Sequence, residues 1–486
     1  MNTIEKILTK RPYRSSEIVK QLIATEHISP EAARKRLSRA KGSIKRIDCL
    51  RLPNKELIYY QEGQFGTPEF ANSIIQILIE ANSAAGRALI GLQTVGGALP
   101  LSLFAKASAT SLFPNNKKHR YFKDTLKQLT DLNLAHLTTS SFCNELVCLH
   151  GMEDIPSIQQ ATFIVEDILL AIIQKWLANL GLGSYNKIEI REENPKYGQF
   201  AWDIVGPSYI NGIVTFKSGK LQNGFIVGDI YLNKEMTLER LKPFFYKLDS
   251  LNNQKNIRPF NVLMIADSYE KEALKKLRQR GVLIASPKIL LGQENAELLK
   301  SLIGTIDNAT KTIKENPDKF FNIVKKLHKI EGASLNLRSV VLDFIIARLF
   351  SIIGFECEIR RKIQTSLGER AEIDVVASRP DRIIYIEGKA VSSGNKVTKN
   401  EIKAWIDKSY PRICKWIKES EEDNKAKQIE FYSSTEYEPD AYELIDKIKE
   451  KQRKIPVKFR EGKYIVVKLR ELNQSSLVDV YKEQFM

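Results

Sequence analysis

Ala371-Glu-Ile-Asp-Val-Val-Ala-Ser-Arg-Pro-Asp-Arg-Ile-Ile-Tyr-Ile-Glu-Gly-Lys389 is the stretch that decides how the C-terminal third of this chain folds. Two apolar runs, Ala371–Val376 and Ile383–Ile386, flank a turn at Ser378–Arg382, the pattern of two strands and their connection. Asp374 lies on the first strand and Glu387 closes the second, 13 positions later. A hairpin of that length places both carboxylates at one end of a sheet. Lys389 follows Glu387 by two, and the two-residue period of a strand sets their side chains on one face. Gly388 leaves space between them, as glycine does in a strand. Two carboxylates and an ammonium at one spot suit phosphodiester hydrolysis. Hard oxygen ligands hold Mg²⁺ while it keeps waters and shares a substrate phosphate. The metal activates a water and neutralises charge on phosphorus. A neighbouring lysine orients or deprotonates that water, or stabilises the pentacovalent state. Asp374, Glu387 and Lys389 are therefore the candidate catalytic residues. Asp374, Glu387 and the Gly388 carbonyl are the candidate metal ligands.

Upstream, Leu342-Asp-Phe-Ile-Ile-Ala-Arg-Leu-Phe-Ser-Ile-Ile-Gly-Phe355 reads as an apolar helix ending at a glycine. A helix of this kind followed by Asp-x(12)-Glu-x-Lys resembles the PD-(D/E)XK nuclease superfamily, the restriction-endonuclease-like fold. Within it, the helix most resembles Mrr-type and Holliday-junction-resolvase-like members. The resemblance covers residues 335–486. It implies a metal-dependent deoxyribonuclease, with Mg²⁺ as cofactor and Mn²⁺ as its substitute, and a further acidic ligand on the first helix. Asp343 is the match, although Glu is commoner there. Ile373 stands where the family name has proline.

The same order of elements is expected twice, over residues 162–292 and 335–470. Each copy opens with a helix ending in Leu-Gly-Leu (180–182) or Ile-Gly-Phe (353–355). Strands Lys187–Arg191 and Glu356–Arg360 follow, then Asp-bearing strands Phe200–Val205 and Ala371–Val376. Next come acid-bearing strands Phe225–Tyr231 and Ile383–Lys389, and then a helix, a strand and a helix in each copy. This order implies α/β units with mixed sheets. In the first copy Asp203 and Asp229 take the carboxylate positions, but Tyr231 stands in place of the lysine. That copy reads as catalytically degenerate, suited to DNA docking, contact with a partner or packing; a second metal site built on Asp203 and Asp229 stays open as the alternative.

Residues 1–62 read as a winged helix. Helices are expected at Ile4–Thr9, at Glu17–Ala24 capped by Ser15 or Ser16, and at Glu31–Lys41 with Ser29 as N-cap and Pro30 in its first turn. Strands Ile44–Leu52 and Leu57–Tyr60 would form the wing. Residues 1–60 hold fourteen Lys and Arg against six Asp and Glu, nearly half of the whole chain's surplus of +17. Arg34, Lys35, Arg36, Arg39, Lys41 and Lys45 are the candidate DNA contacts, because such a third helix enters the major groove. The alternative is a solvated basic face in a protein-interaction module. Residues 68–150 read as a second winged-helix-like module, with Lys117, Lys118, His119 and Arg120 as a further basic run.

The composition, 43% apolar and 27% charged, is that of a soluble multidomain protein, and the pI of about 9.4 favours a polyanionic partner. Five scattered cysteines form no zinc or disulfide pattern. No apolar run is long enough to span a bilayer. A cytoplasmic protein with no membrane association is expected. The organisation reads as α+β and α/β: winged helices at 1–62 and 68–150, a degenerate nuclease-like unit at 162–292, a helical connector at 293–334 and a nuclease unit at 335–486. This resembles a restriction or anti-phage defence endonuclease acting on double-stranded DNA. One intact site for two strands implies a homodimer, a partner nuclease subunit, or nicking. Two other readings stay open: a transposition or recombination endonuclease working with a partner protein, and a non-catalytic DNA-binding regulator with a vestigial nuclease fold.

Overall fold

The structure, a computed structural model, describes residues 2–114, 119–140, 143, 145–184, 186–217, 219–328, 338–367, 369–420, 425–450 and 455–486. Lys117 and Lys118 lie outside them. It is a mixed α/β multidomain protein with several separate sheets.

The first sixty residues form helices Thr3–Leu8, Ser15–Glu26 and Pro30–Ser38 around a three-stranded sheet in which the last strand lies between the other two. A small core of its own, including Ile4, Ile18, Leu22 and Leu37, holds them together. Ser29 caps the third helix by accepting from Ala32 N, with Pro30 next to it. The second helix starts earlier than its serines suggest. Arg14 is its N-cap, and the Glu17 carboxylate accepts the Arg14 N–H at 2.9 Å. The wing strand is shorter than the alternation predicts: Ile44–Arg46 pairs with Tyr59–Gln61, and a 3-10 turn covers Pro53–Lys55. The third helix stops at Ser38, which leaves Arg39 as its C-cap and Lys41 beyond it.

Residues 84–149 repeat this order of elements. Helix Ala84–Thr94 precedes strand Ala98–Pro100, helices Leu101–Ser108 (α1) and Phe122–Asp131, and a hairpin of Ala135–Thr138 with Leu146–Leu149. Again the last strand is the central one. The sequence reading missed α1 and the helix before it, because Gly96, Gly97 and Pro100 between them read as loop punctuation.

The chain then enters helix α2 (Ser157–Asn179) and a five-stranded sheet. Its strands are β1 (Glu189–Ile190), β2 (Ile204–Ser208), β3 (Gly224–Met236), β4 (Phe260–Tyr269) and β5 (Leu283–Ala285), with helix α3 (Lys242–Asn252) between β3 and β4. Their spatial order is the chain order; β2 is antiparallel to both β1 and β3, and β4 and β5 are parallel to β3. After four connecting helices among the described residues the pattern recurs. Helix α4 (Arg338–Ile352) precedes β6 (Glu356–Gln364), β7 (Arg370–Ser378), β8 (Arg382–Lys389), β9 (Ala426–Ser433) and β10 (Val457–Arg460). Between β8 and β9 runs α5 (Lys399–Ala404), continued by a π-helical turn Trp405–Ser409 and helix Tyr410–Glu419. Order and strand sense match the first sheet throughout.

Each sheet buries both faces, so its central strands are apolar on both sides. One face of the first sheet (Val227, Val262, Met264) shares a core with the module at 68–150. Its other face (Ile226, Leu263, Ile265) packs on α2. That second core continues through Leu299, Leu302 and Phe320 of the connecting helices to α4 and to Val375, Ile384 and Ile386 of the second sheet. Residues 293–328 are thus helical, and they are embedded in a core common to both sheets. No helix among the described residues is long and apolar enough to cross a membrane.

Candidate functional site

Strands β7 and β8 pair from Ser378↔Ile383 to Val375↔Ile386, and there the ladder ends. Asp374 and Glu387 are the next two residues in this register, so they stand opposite each other where the strands part. Asp374 Oδ2 accepts the Gly388 N–H at 2.7 Å, taking the donor that the ladder releases. The neighbouring strand is distorted at the same level. Ile359↔Val375 and Arg361↔Ile373 flank Arg360, which has φ 56°, a strained value for a non-glycine residue. Strand alternation slips by one here: Ala371 and Ile373 face one core, whereas Val375 and Ala377 face the other. The slip turns Asp374 and Arg360 toward α4. Simple period-two counting misses it.

Asp343, on α4, is 2% exposed. Its Oδ2 accepts from Arg360 Nε and Nη2, both at 3.3 Å, while its Oδ1 is buried with no hydrogen-bond partner. Gly388 sits over this group. A Cβ placed there would lie 3.1 Å from Asp343 Oδ1 and 3.7 Å from Asp374 Oδ2, so two carboxylate oxygens converge on the space that glycine leaves open. Burial, and then the charges of Asp374 and Asp343, hold the Glu387 carboxyl well above the usual range. Burial, and then Asp374, do the same to Asp343. Burial pushes Asp374 up to about 6, against the opposing pull of the Gly388 N–H.

Lys389 continues β8. Its ammonium lies 3.0 Å from Glu401 Oε1, in the capping box that starts α5. Trp405 is buried in the core behind the strand. Asp343, Asp374, Glu387 and the nearby Glu372 gather around one guanidinium, Arg360, while Lys389 is paired with Glu401. The crowding that raises Asp343 and Glu387 is what a divalent cation would relieve. Among the described residues no three His, Cys, Asp or Glu side chains converge tightly enough to hold a metal ion by themselves. Mg²⁺ needs fewer, since it commonly takes one or two carboxylates and fills its octahedron with water and phosphate. Asp374, Glu387 and the Gly388 carbonyl supply such a set, with the orphaned Asp343 Oδ1 beside it.

The sequence-derived basic residues lie at the other end of the chain. Arg34, Lys35, Arg36, Arg39 and Lys41 are all exposed. Arg36 pairs with Glu26, and Lys45 with Glu62 at 3.2 Å. Among the described residues, Arg34, Lys35, Arg39 and Lys41 make no ion pair. Of the second basic run, His119 is hydrogen-bonded to Tyr246 at 2.9 Å.

Sequence reasoning missed Arg360, whose partner Asp343 is 17 positions away. Alternation gave no signal for it, since Arg360 falls in phase with Glu356, Glu358 and Lys362 on the polar side of the strand.

No protein-family model matches the chain, and no curated protein does. Among solved structures it is similar to a protein of unknown function, at 15% identity and TM-score 0.21, over 30% of this chain and 97% of that one. It is similar to a repair endonuclease from Pyrococcus abyssi at 13% identity and TM-score 0.17, over 29% of this chain and 50% of that one. It is also similar to restriction endonuclease FokI bound to DNA at 11% identity and TM-score 0.21, over 94% of this chain and 82% of that one.

Proposed function

We propose that the chain is a metal-dependent deoxyribonuclease whose active site is Asp374, Glu387 and Lys389. The observation that supports it best is the meeting of Asp374 and Glu387 at the end of the β7–β8 ladder, around a position where only glycine leaves the carboxylate oxygens free. Like charges directly opposite each other destabilise a sheet. A sheet that keeps them, with a partnerless Asp343 Oδ1 alongside, is arranged for a cation.

In this reading Asp374, Glu387 and the Gly388 carbonyl hold Mg²⁺ or Mn²⁺, and Asp343 is kept in place by Arg360. When bound, the ion polarises the scissile phosphate and lowers the pKa of a water. Lys389 exchanges Glu401 for a phosphate oxygen or the attacking water as substrate enters, and its charge counters that developing on phosphorus. The two modules before the first sheet each have the helix, strand, helix, helix, hairpin order of a winged helix. The unpaired cations on the first module's third helix would hold the backbone of duplex DNA. Cutting both strands from one such site per chain calls for a second copy or a partner nuclease, as in restriction-type defence.

The test is cleavage of supercoiled, linear and single-stranded DNA with Mg²⁺, Mn²⁺ or EDTA, comparing the unaltered chain with Glu387→Gln. Cutting should need the metal and should disappear in the variant. Metal-dependent cutting that persists in Glu387→Gln overturns the assignment.

A further inference from the structure

The first sheet carries a corresponding set of carboxylates and a corresponding guanidinium, with Tyr231 in place of Lys389 and two added ammonium groups, Lys106 and Lys247. The β2–β3 ladder ends at Ile204↔Gly228, so Asp203 and Asp229 stand opposite each other as Asp374 and Glu387 do. Asp203 Oδ2 accepts the Ile230 N–H at 2.9 Å, as Asp374 accepts that of Gly388. Glu166 on α2 takes the place of Asp343 on α4. Arg191, following β1, takes that of Arg360: its Nη2 lies 2.8 Å from Glu166 Oε2 and its Nε 2.9 Å from Asp203 Oδ1.

One added ammonium is that of Lys106, which arrives from α1 in the preceding module. Its ammonium is 2.6 Å from Asp203 Oδ2 and donates to the Ile230 carbonyl at 3.3 Å. These are the two donors that correspond to Asp374 Oδ2 and the Gly388 carbonyl. A third stands ready: Asp229 is fully buried and its Oδ1 has no hydrogen-bond partner, while its Oδ2 pairs with Lys247. Glu166, Asp203, Asp229 and the partly exposed Asp167, which also pairs with Arg191 at 3.0 Å, face three cations, Arg191, Lys106 and Lys247, whereas the C-terminal carboxylates face Arg360 and a lysine already paired with Glu401. Asp203 reflects this. Burial alone would raise its pKa, but Arg191 and Lys106 outweigh burial and hold it below the ordinary carboxylate range, opposite in direction to Asp374.

We propose that the first sheet retains a cation site built on the same plan as the C-terminal one and occupied from within by the Lys106 ammonium, so that removing this ammonium opens the site to a divalent metal ion. Asp203 Oδ2, Asp229 Oδ1 and the Ile230 carbonyl are its oxygen donors. The ammonium also ties the module at 68–150 to the sheet with which that module shares a core.

The test uses the full chain carrying Asp374→Asn, which silences the C-terminal site whatever its role. Lys106→Gln and Lys106→Ala are added to it singly, and bound Mn²⁺ per chain is counted by electron paramagnetic resonance alongside melting temperature. Each variant should hold one more Mn²⁺ than its parent and melt higher with Mn²⁺ than with EDTA, and Asp229→Asn should abolish both effects. A variant that folds only when Mn²⁺ is present supports the same conclusion. Variants that fold yet bind no additional Mn²⁺ overturn it. So do variants that fail to fold with Mn²⁺ present.

Discussion

At Gly388 a single methyl group separates two predictions about the C-terminal site. The backbone there is ordinary, so alanine brings no conformational strain, but its Cβ would sit 3.1 Å from Asp343 Oδ1. Gly388→Ala should therefore melt close to the unaltered chain while losing about 10–100-fold in metal affinity or cleavage, the range seen when groups orienting a metal site are disturbed. Melting curves and Mn²⁺ titration of cleavage check this; unchanged cleavage would remove Gly388 from the site. Lys389→Ala should lower the cleavage rate by about 10²–10³-fold, the usual cost of losing one group aimed at developing charge. Glu401→Gln frees the Lys389 ammonium from its 3.0 Å ion pair and should leave the cleavage rate the same or higher. A loss as large as that of Lys389→Ala would mean that Glu401 itself takes part.

At the scale of single elements, the candidate site is legible in sequence where its geometry is local. Asp374 and Glu387 belong to one tight hairpin, so spacing alone brings them together. What escapes is everything carried by tertiary register. Arg360 reaches Asp343 because a strand twists at one residue, and Arg191 reaches Asp203 and Glu166 across three elements. Lys106 lies nearly a hundred positions before Asp203. A lysine inside Leu103-Phe-Ala-Lys-Ala107 was the one local hint, since a charge amid such an apolar run is either exposed by a bend or buried with a partner. Strand and helix ends were misplaced where a side chain outvoted propensity, as at Arg14 and Glu17. The third helix of the first module carries its own prediction. If Lys35 and Arg39 each meet a phosphate, Lys35→Ala/Arg39→Ala should reduce the slope of log affinity against log salt by about 1.8, or about 0.9 per lost contact. Fluorescence anisotropy with duplex DNA across a salt series measures it. An unchanged slope removes this helix from the interface.

Across the whole molecule, cores rather than connections define what moves together. The helices at 293–328 share one core with both five-stranded sheets, while the first sixty residues enclose a small core of their own. Leu302, fully buried in the shared core, should cost about 2–5 kcal/mol when cut to alanine, and both sheets should lose that stability in a single calorimetric transition. Ile18→Ala should instead lower only a separate N-terminal transition. Independent melting of the two sheets would contradict a shared core.

The Lys106 ammonium has a consequence beyond charge balance. A cation delivered by its own chain is present at an effective concentration set by geometry rather than by the surrounding solution. No chelator removes it, and no fall in free magnesium releases it. Two sites of one design thus answer to different reservoirs, one to the medium and one to the covalent chain. Withdrawal of metal should silence the C-terminal half while leaving the first sheet and the module clasped to it standing.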